Sequence, residues 1–161
     1  MLLGVCPVRA GVWWESGHLE INEGDIYDGE LFIIDYGSVD MFGGIVGKLE
    51  TWDYSIGNIY GGQIDWLFTK DSSIVHIHGG TSDWLGAFQD SSVYLYAYDV
   101  TYHLTGGLEN RPWLEGTYYK NDIPFSFTLY DEYSYSHLAI VPEPATLLLL
   151  LFGSMLLKKR H

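Results

Sequence analysis

Hydrophobic and polar positions along this chain recur every 18 residues. Gly-Gly falls at 43–44, 61–62 and 79–80, and sliding the sequence by that interval aligns columns on both sides of the pair. Leu31, Leu49, Leu67 and Leu85 share one column, and Met41, Ile59, Ile77 and Leu95 share another. Val39, Gly57, Val75 and Val93 form a third. A small-residue column holds Gly37, Ser55, Ser73 and Ser91, and a polar one holds Asp35, Asp53, Asp71 and Gln89. Columns held in register over four coils mark a repeat protein, in which each unit buries its apolar face only against its neighbours. An earlier coil, Leu19 to Gly24, fits when two extra residues are allowed before Leu31.

The spacing inside one unit predicts strands. Val75 and Ile77 lie two apart, so both point inward while His76 and His78 point outward. Gly-Gly supplies a corner that side chains would obstruct. An Asp-x-Ser corner follows the leucine strand, with side chains suited to bonding nearby amides. The expected fold is all-β: a parallel β-solenoid (β-helix) of about 18-residue coils over residues 11–98, its strands paired as in any parallel sheet. An antiparallel sandwich would also place turns about every 8–12 residues, but without this strict register.

The register fails from Asp99, and Arg111 stands where a core valine is due. Leu114 to Tyr118 and Phe125 to Leu129 both alternate, and Asn121-Asp122 between them predicts a hairpin. Tyr133 to Ile140 reads as a last strand. Residues 99–140 are therefore expected to form a C-terminal β cap over the open edge of the stack.

Two outward columns carry rings: Phe42, Tyr60, His78 and Tyr96 in one, and Glu30, Lys48, Trp66 and Trp84 in the other. Such ladders strengthen strand stacking through aromatic pairing. They also suit sugar rings, which makes Trp66 and Trp84 a candidate ligand flank. The net charge of −13 sets the body against phosphate backbones and excludes nucleic acid as a partner. Cys6 is the single cysteine, so a disulfide within the chain is excluded. His76 and His78 have no third ligand at fixed spacing, and the aspartate column reads first as turn capping. That column also has the spacing of paired glycosidase carboxylates or a calcium repeat. No phosphate loop, dinucleotide fingerprint or zinc-protease motif is present. The chain is expected to be no enzyme, with no catalytic residue, metal or cofactor assigned.

Both ends read as addresses. In Met1 to Gly11, Val8-Arg9-Ala10 forms a cleavage-like site, so residues 1–10 are expected to be the remnant of a signal peptide. At the other end, Pro142-Glu143-Pro144 breaks regular structure. After Ala145-Thr146 come Leu147, Leu148, Leu149, Leu150, Leu151 and Phe152, then Leu156 and Leu157, and finally Lys158, Lys159 and Arg160. A helix over Ala145 to Leu157 would be about 20 Å long, and lysine snorkelling with local thinning helps it reach across a thicker hydrocarbon core. The cationic end fits a cytoplasmic, positive-inside terminus that leaves the body outside.

The proline–glutamate–proline triplet, apolar run and basic stop over residues 141–161 closely resemble the PEP-CTERM sorting signal. Leu104-Thr105-Gly106, Pro124-Phe125-Ser126-Phe127 and Tyr135-Ser136-His137 more loosely resemble the region preceding that signal in repeat-bearing members. The resemblance implies an exported bacterial protein held transiently in the inner membrane by one short hydrophobic helix. An exosortase, a membrane protease, would cut near the triplet and pass the body to the cell surface or extracellular matrix, where exopolysaccharide is a further expected partner. The expected role is structural or adhesive. The alternative is a carbohydrate-binding module or β-helical carbohydrate-active enzyme.

Overall fold

A computed structural model describes residues 11–142. The signal-peptide remnant at 1–10 and the sorting tail beyond Pro142, including its expected helix, lie outside the described residues. Each coil contributes one strand to each of two sheets. The first coil holds β1 (Val12–Trp14) and β2 (His18–Ile21), and the second β3 (Ile26–Ile33) and β4 (Ser38–Met41). Then come β5 (Ile45–Thr51) and β6 (Ile56–Ile59), β7 (Gln63–Thr69) and β8 (Ile74–Ile77), and β9 (Thr81–Ala87) and β10 (Ser92–Leu95). Odd strands run parallel in one sheet and even strands in the other, coil upon coil. This is the parallel β-solenoid that the repeat predicts.

The register reproduces the columns. Leu49 pairs with Leu67 and Leu67 with Leu85 across the long strands, as Gly57 pairs with Val75 and Val75 with Val93 across the short ones. The leucine, valine and methionine–isoleucine columns are buried along the axis. Val46 and Leu49 are both inward although three apart, so the strand alternation slips and the chain bends at Gly47-Lys48. The two extra residues before Leu31 are also located. One lengthens the Asn22–Asp25 turn, and the other is a bulge between Tyr27 and Glu30.

The corners follow from two local choices. The second glycine of each pair adopts positive φ: +79° at Gly44, +94° at Gly62 and +90° at Gly80. At the opposite corner Asp35, Asp53, Asp71 and Gln89 all sit at φ between 53° and 59°, the left-handed region that aspartate tolerates better than most residues. Two of these side chains tie coil to coil. Asp53 Oδ2 accepts from the Asp35 amide at 3.4 Å, and Gln89 Oε1 from the Asp71 amide at 2.9 Å. Buried hydroxyls continue this below the corner, with Ser73 Oγ 2.6 Å from Thr69 Oγ1 and Ser91 Oγ donating to Thr69 O.

Termination has a simple cause. At the next corner Ala97-Tyr98 stands where Gly-Gly is due, and the chain continues straight into β11 (Ala97–His103). It then folds back through β12 (Trp113–Tyr118) and β13 (Pro124–Leu129), both steps antiparallel. β13 returns to lie parallel on β9, placing Leu129 beneath Leu85 as a further member of the leucine column. The expected strand over 133–140 is shorter than predicted. Tyr133–His137 form a 3₁₀ turn in which Ser134 is buried and bonded to Asp131, so only β14 (Leu138–Ile140) is strand, parallel to β10. β13 and β14 thus complete a sixth level. Among the described residues no helix is long and apolar enough to cross a membrane.

Candidate functional site

The short strands present an open sheet face whose outward columns run across the coils. Phe42, Tyr60, His78 and Tyr96 stack with centroids 5.2, 4.9 and 3.9 Å apart, and planes within 17° of parallel. Beside them Asn58 donates to Asp40 at 2.7 Å, and His76 stacks on Tyr94 at 5.1 Å. Rings stacked along the axis spend their faces on one another and offer solvent mainly their edges. Such a ladder stabilises the coils and is a poor platform for a flat ligand.

Burial lowers the basicity of His76 and His78, and for His78 the neighbouring His76 and Lys120 add to the effect. Unfolded imidazoles bind protons below about pH 6.5, while these two resist until lower pH. The unfolded state therefore holds more protons in that window, and stability falls as pH drops through it. Melting temperature is expected to decline between about pH 7 and about pH 5, and a His76→Phe/His78→Tyr variant to flatten that slope. Equal slopes in calorimetric scans of both proteins would refute this.

The Trp66/Trp84 flank has a different geometry from a side-by-side platform. The two indoles stack face to face at 4.9 Å with planes 5° apart, and Trp84 is only 8% exposed. Its in-register neighbour on the far side is Thr128, whose Oγ1 accepts from the Leu108 amide in the 104–112 loop. Next to this pair lies a cluster that the sequence pattern conceals. Glu50 is outward-facing yet 2% exposed, bridged by Lys48 and Lys70 and accepting from Trp52 Nε1 at 2.7 Å. Burial alone would raise its pKa, but the bonds from Lys48, Lys70 and Trp52 outweigh that and hold it below the usual carboxylate value. Lys48 also reaches Glu30 at 3.1 Å. All these groups are committed to each other, which makes the cluster a clamp between coils.

Asp35, Asp53 and Asp71 lie at the turn corner, but the local turn amides of Lys70 and Phe88 donate to Ser73 Oγ and Ser91 Oγ, and Asp53 instead accepts from the Asp35 amide one coil away. Among the described residues there is no group of three or more His, Cys, Asp or Glu arranged to hold a metal ion. His137 lies far from Asp53 and Asp71 in sequence and meets the end of the stack, its Nδ1 donating to Ser91 O at 3.0 Å. Here the structure brings together residues that the sequence reading did not connect. A cleft of about 360 Å³ opens on the outer face of the paired β10 and β14, lined by Asp90, Ser92, Tyr94, Ser136, His137 and Ala139 among others. No periodic signal announces it, because β14 reaches β10 only after the long detour through β11–β13.

Of the sorting triplet, Pro142 is the last described residue. Glu143, Pro144, the apolar run and Lys158, Lys159 and Arg160 lie outside the described residues. The last backbone tie of the body is the Val141 amide to Leu95 O at 2.9 Å. Compared with protein-family models, curated proteins and solved structures, the chain matches none.

Proposed function

We propose that this chain is an exported bacterial surface protein, sorted by an exosortase, whose solenoid body has a structural or adhesive role in the envelope or exopolysaccharide. One boundary supports this most. The body's ladder ends at the Val141 amide, and Pro142, which has no amide to extend a ladder, opens the proline–glutamate–proline triplet. A folded unit followed at once by a rigid break, an apolar run and a cationic end suits delivery and then release. The outward side chains support a structural role: rings, carboxylates and lysines are spent on equivalents in the next coil. A carbohydrate-binding module is the second reading, favoured by the cleft at Tyr94.

Expression of the full chain behind a complete export signal, in a host with an exosortase and in the same host lacking it, tests the reading. Mass spectrometry of cell fractions should find the body at the surface, cut near Pro142 to Pro144, only where the protease is present. Without the protease, or with the triplet changed to alanines, the uncut chain should stay in the inner membrane. Intact protein in the cytosol of both strains would overturn the proposal.

A further inference from the structure

At the end of the short-strand sheet a half-buried ring keeps one side that no ring covers, and a cleft opens beside it. Tyr94 stacks on His76 at 5.1 Å on one side. Its partner on the other side is Ala139, in register on β14 and exposed, which has only a methyl group to cover it. The column through Tyr94 holds two rings, His76 and Tyr94, and stops at Ala139 where a third would stand; the cleft occupies the space.

The surrounding groups are hydrogen-bonding ones. His137 Nδ1 faces the Ser91 carbonyl, which can only accept, so Nδ1 carries the proton and Nε2 of the neutral ring remains an acceptor. The Ser92 and Ser136 hydroxyls and the Asp90 carboxylate line the same space. A half-buried ring face beside hydroxyl, imidazole and carboxylate groups matches a ligand with one apolar C–H face and a rim of hydroxyls. A pyranose has that form. Asp90 is the only formal charge among the described residues of the lining and the chain carries −13, so an anionic sugar is disfavoured.

We infer that this cleft is a subsite for a neutral pyranose unit of a polysaccharide, with Tyr94 as the stacking wall and Asp90, Ser92 and His137 as hydroxyl partners. The inference rests on the exopolysaccharide reading above and names its ligand class and place. It assigns no cleavage chemistry, and the sugar leaves as it came.

The test uses the purified full chain, with tetrasaccharides of β-1,4-glucose, β-1,4-N-acetylglucosamine and α-1,6-glucose as neutral probes and tetragalacturonate as the anionic one. Binding followed by calorimetry, with NMR shifts read at Tyr94, His137 and Ala139, should detect at least one neutral probe. Tyr94→Ala and Ala139→Leu should each weaken it by about tenfold or more, while Trp66→Ala leaves it within about twofold. Ala139 is exposed, so its leucine variant fills the cleft without disturbing the core and decides the matter if Tyr94→Ala fails to fold. Absence of binding by every neutral probe, binding unaffected by Ala139→Leu, or equal binding of tetragalacturonate would overturn the inference. Processing by the exosortase without sugar binding refutes only this subsite, whereas sugar binding by an unprocessed cytosolic chain refutes only the sorting proposal.

Discussion

Gly62→Ala is expected to destabilise the protein by more than about 3 kcal/mol, because it adds a left-handed strain to a backbone collision. Gly62 sits at φ +94°, where an L side chain is strained whatever space surrounds it. A Cβ there would lie 2.4 Å from Met41 Cε and 2.7 Å from Gly43 O. The methionine end can swing aside, but Gly43 O belongs to the corner of the preceding coil. That corner is held by the Gln63 amide donating to Gly44 O at 3.0 Å, so relief in one coil means breaking the tie to the next. Gly57→Ala is the contrasting control. It lies within β6 without positive φ, and an added Cβ would meet Val75, Thr51 and Val39 at 3.4–3.7 Å, ordinary contact. Alanine there should leave stability unchanged or raise it by about 0.5–1 kcal/mol through reduced freedom of the unfolded chain. Urea titration of the two variants reads the difference directly. A Gly62→Ala midpoint equal to that of the parent would mean the Gly-Gly corner is not what forces each coil to turn.

The same corner shows why so much of the solenoid was legible and where legibility stopped. Period and register were visible because every coil repeats one set of contacts, so leucine meets leucine and aspartate meets aspartate 18 residues on. The exit from the stack also left a signal, Ala97-Tyr98 in place of a glycine pair. Reading it requires knowing that the second glycine adopts positive φ. The sixth level left no such signal. β13 and β14 supply the leucine column and the valine column from two segments separated by a 3₁₀ turn, and no fixed spacing links Leu129 to Leu85. The Tyr94 cleft, being made by that return, was equally hidden.

Glu50 was concealed for another reason. An outward glutamate in a strand reads as solvated, and the Trp52 ring, the two lysines and the in-register rings of Phe32 and Phe68 remove it from water. Trp66 and Trp84 were legible as column mates, and stacking for stability is the favoured reading of their column. Parallel register makes them face to face, since equivalent side chains then share one rotamer along the axis. Face-to-face packing spends ring surface on cohesion. An interruption of the column, as at Ala139, returns a ring face to solvent beside a cleft, and this is why the binding inference falls at the end of the stack.

Leu67→Ala should cost about 2–5 kcal/mol, the range for emptying a fully buried leucine site. Leu67 is 1% exposed at the centre of its column, with Leu49 and Leu85 in register on either side. The sheet backbones are held by ladders to both neighbours, so the coil cannot collapse into the space without loosening hydrogen bonds above and below. In a stack where each coil is stabilised by its two interfaces, a defect at the middle weakens both at once. Leu129 has a coil on one side and the β12 hairpin on the other, so Leu129→Ala should release the cap before the coils. Hydrogen exchange separates the two cases. Leu67→Ala should raise exchange throughout β5, β7 and β9 together, whereas Leu129→Ala should raise it first in β12 and β13. Identical exchange patterns for the two variants would mean the cap and the coils unfold as one cooperative body.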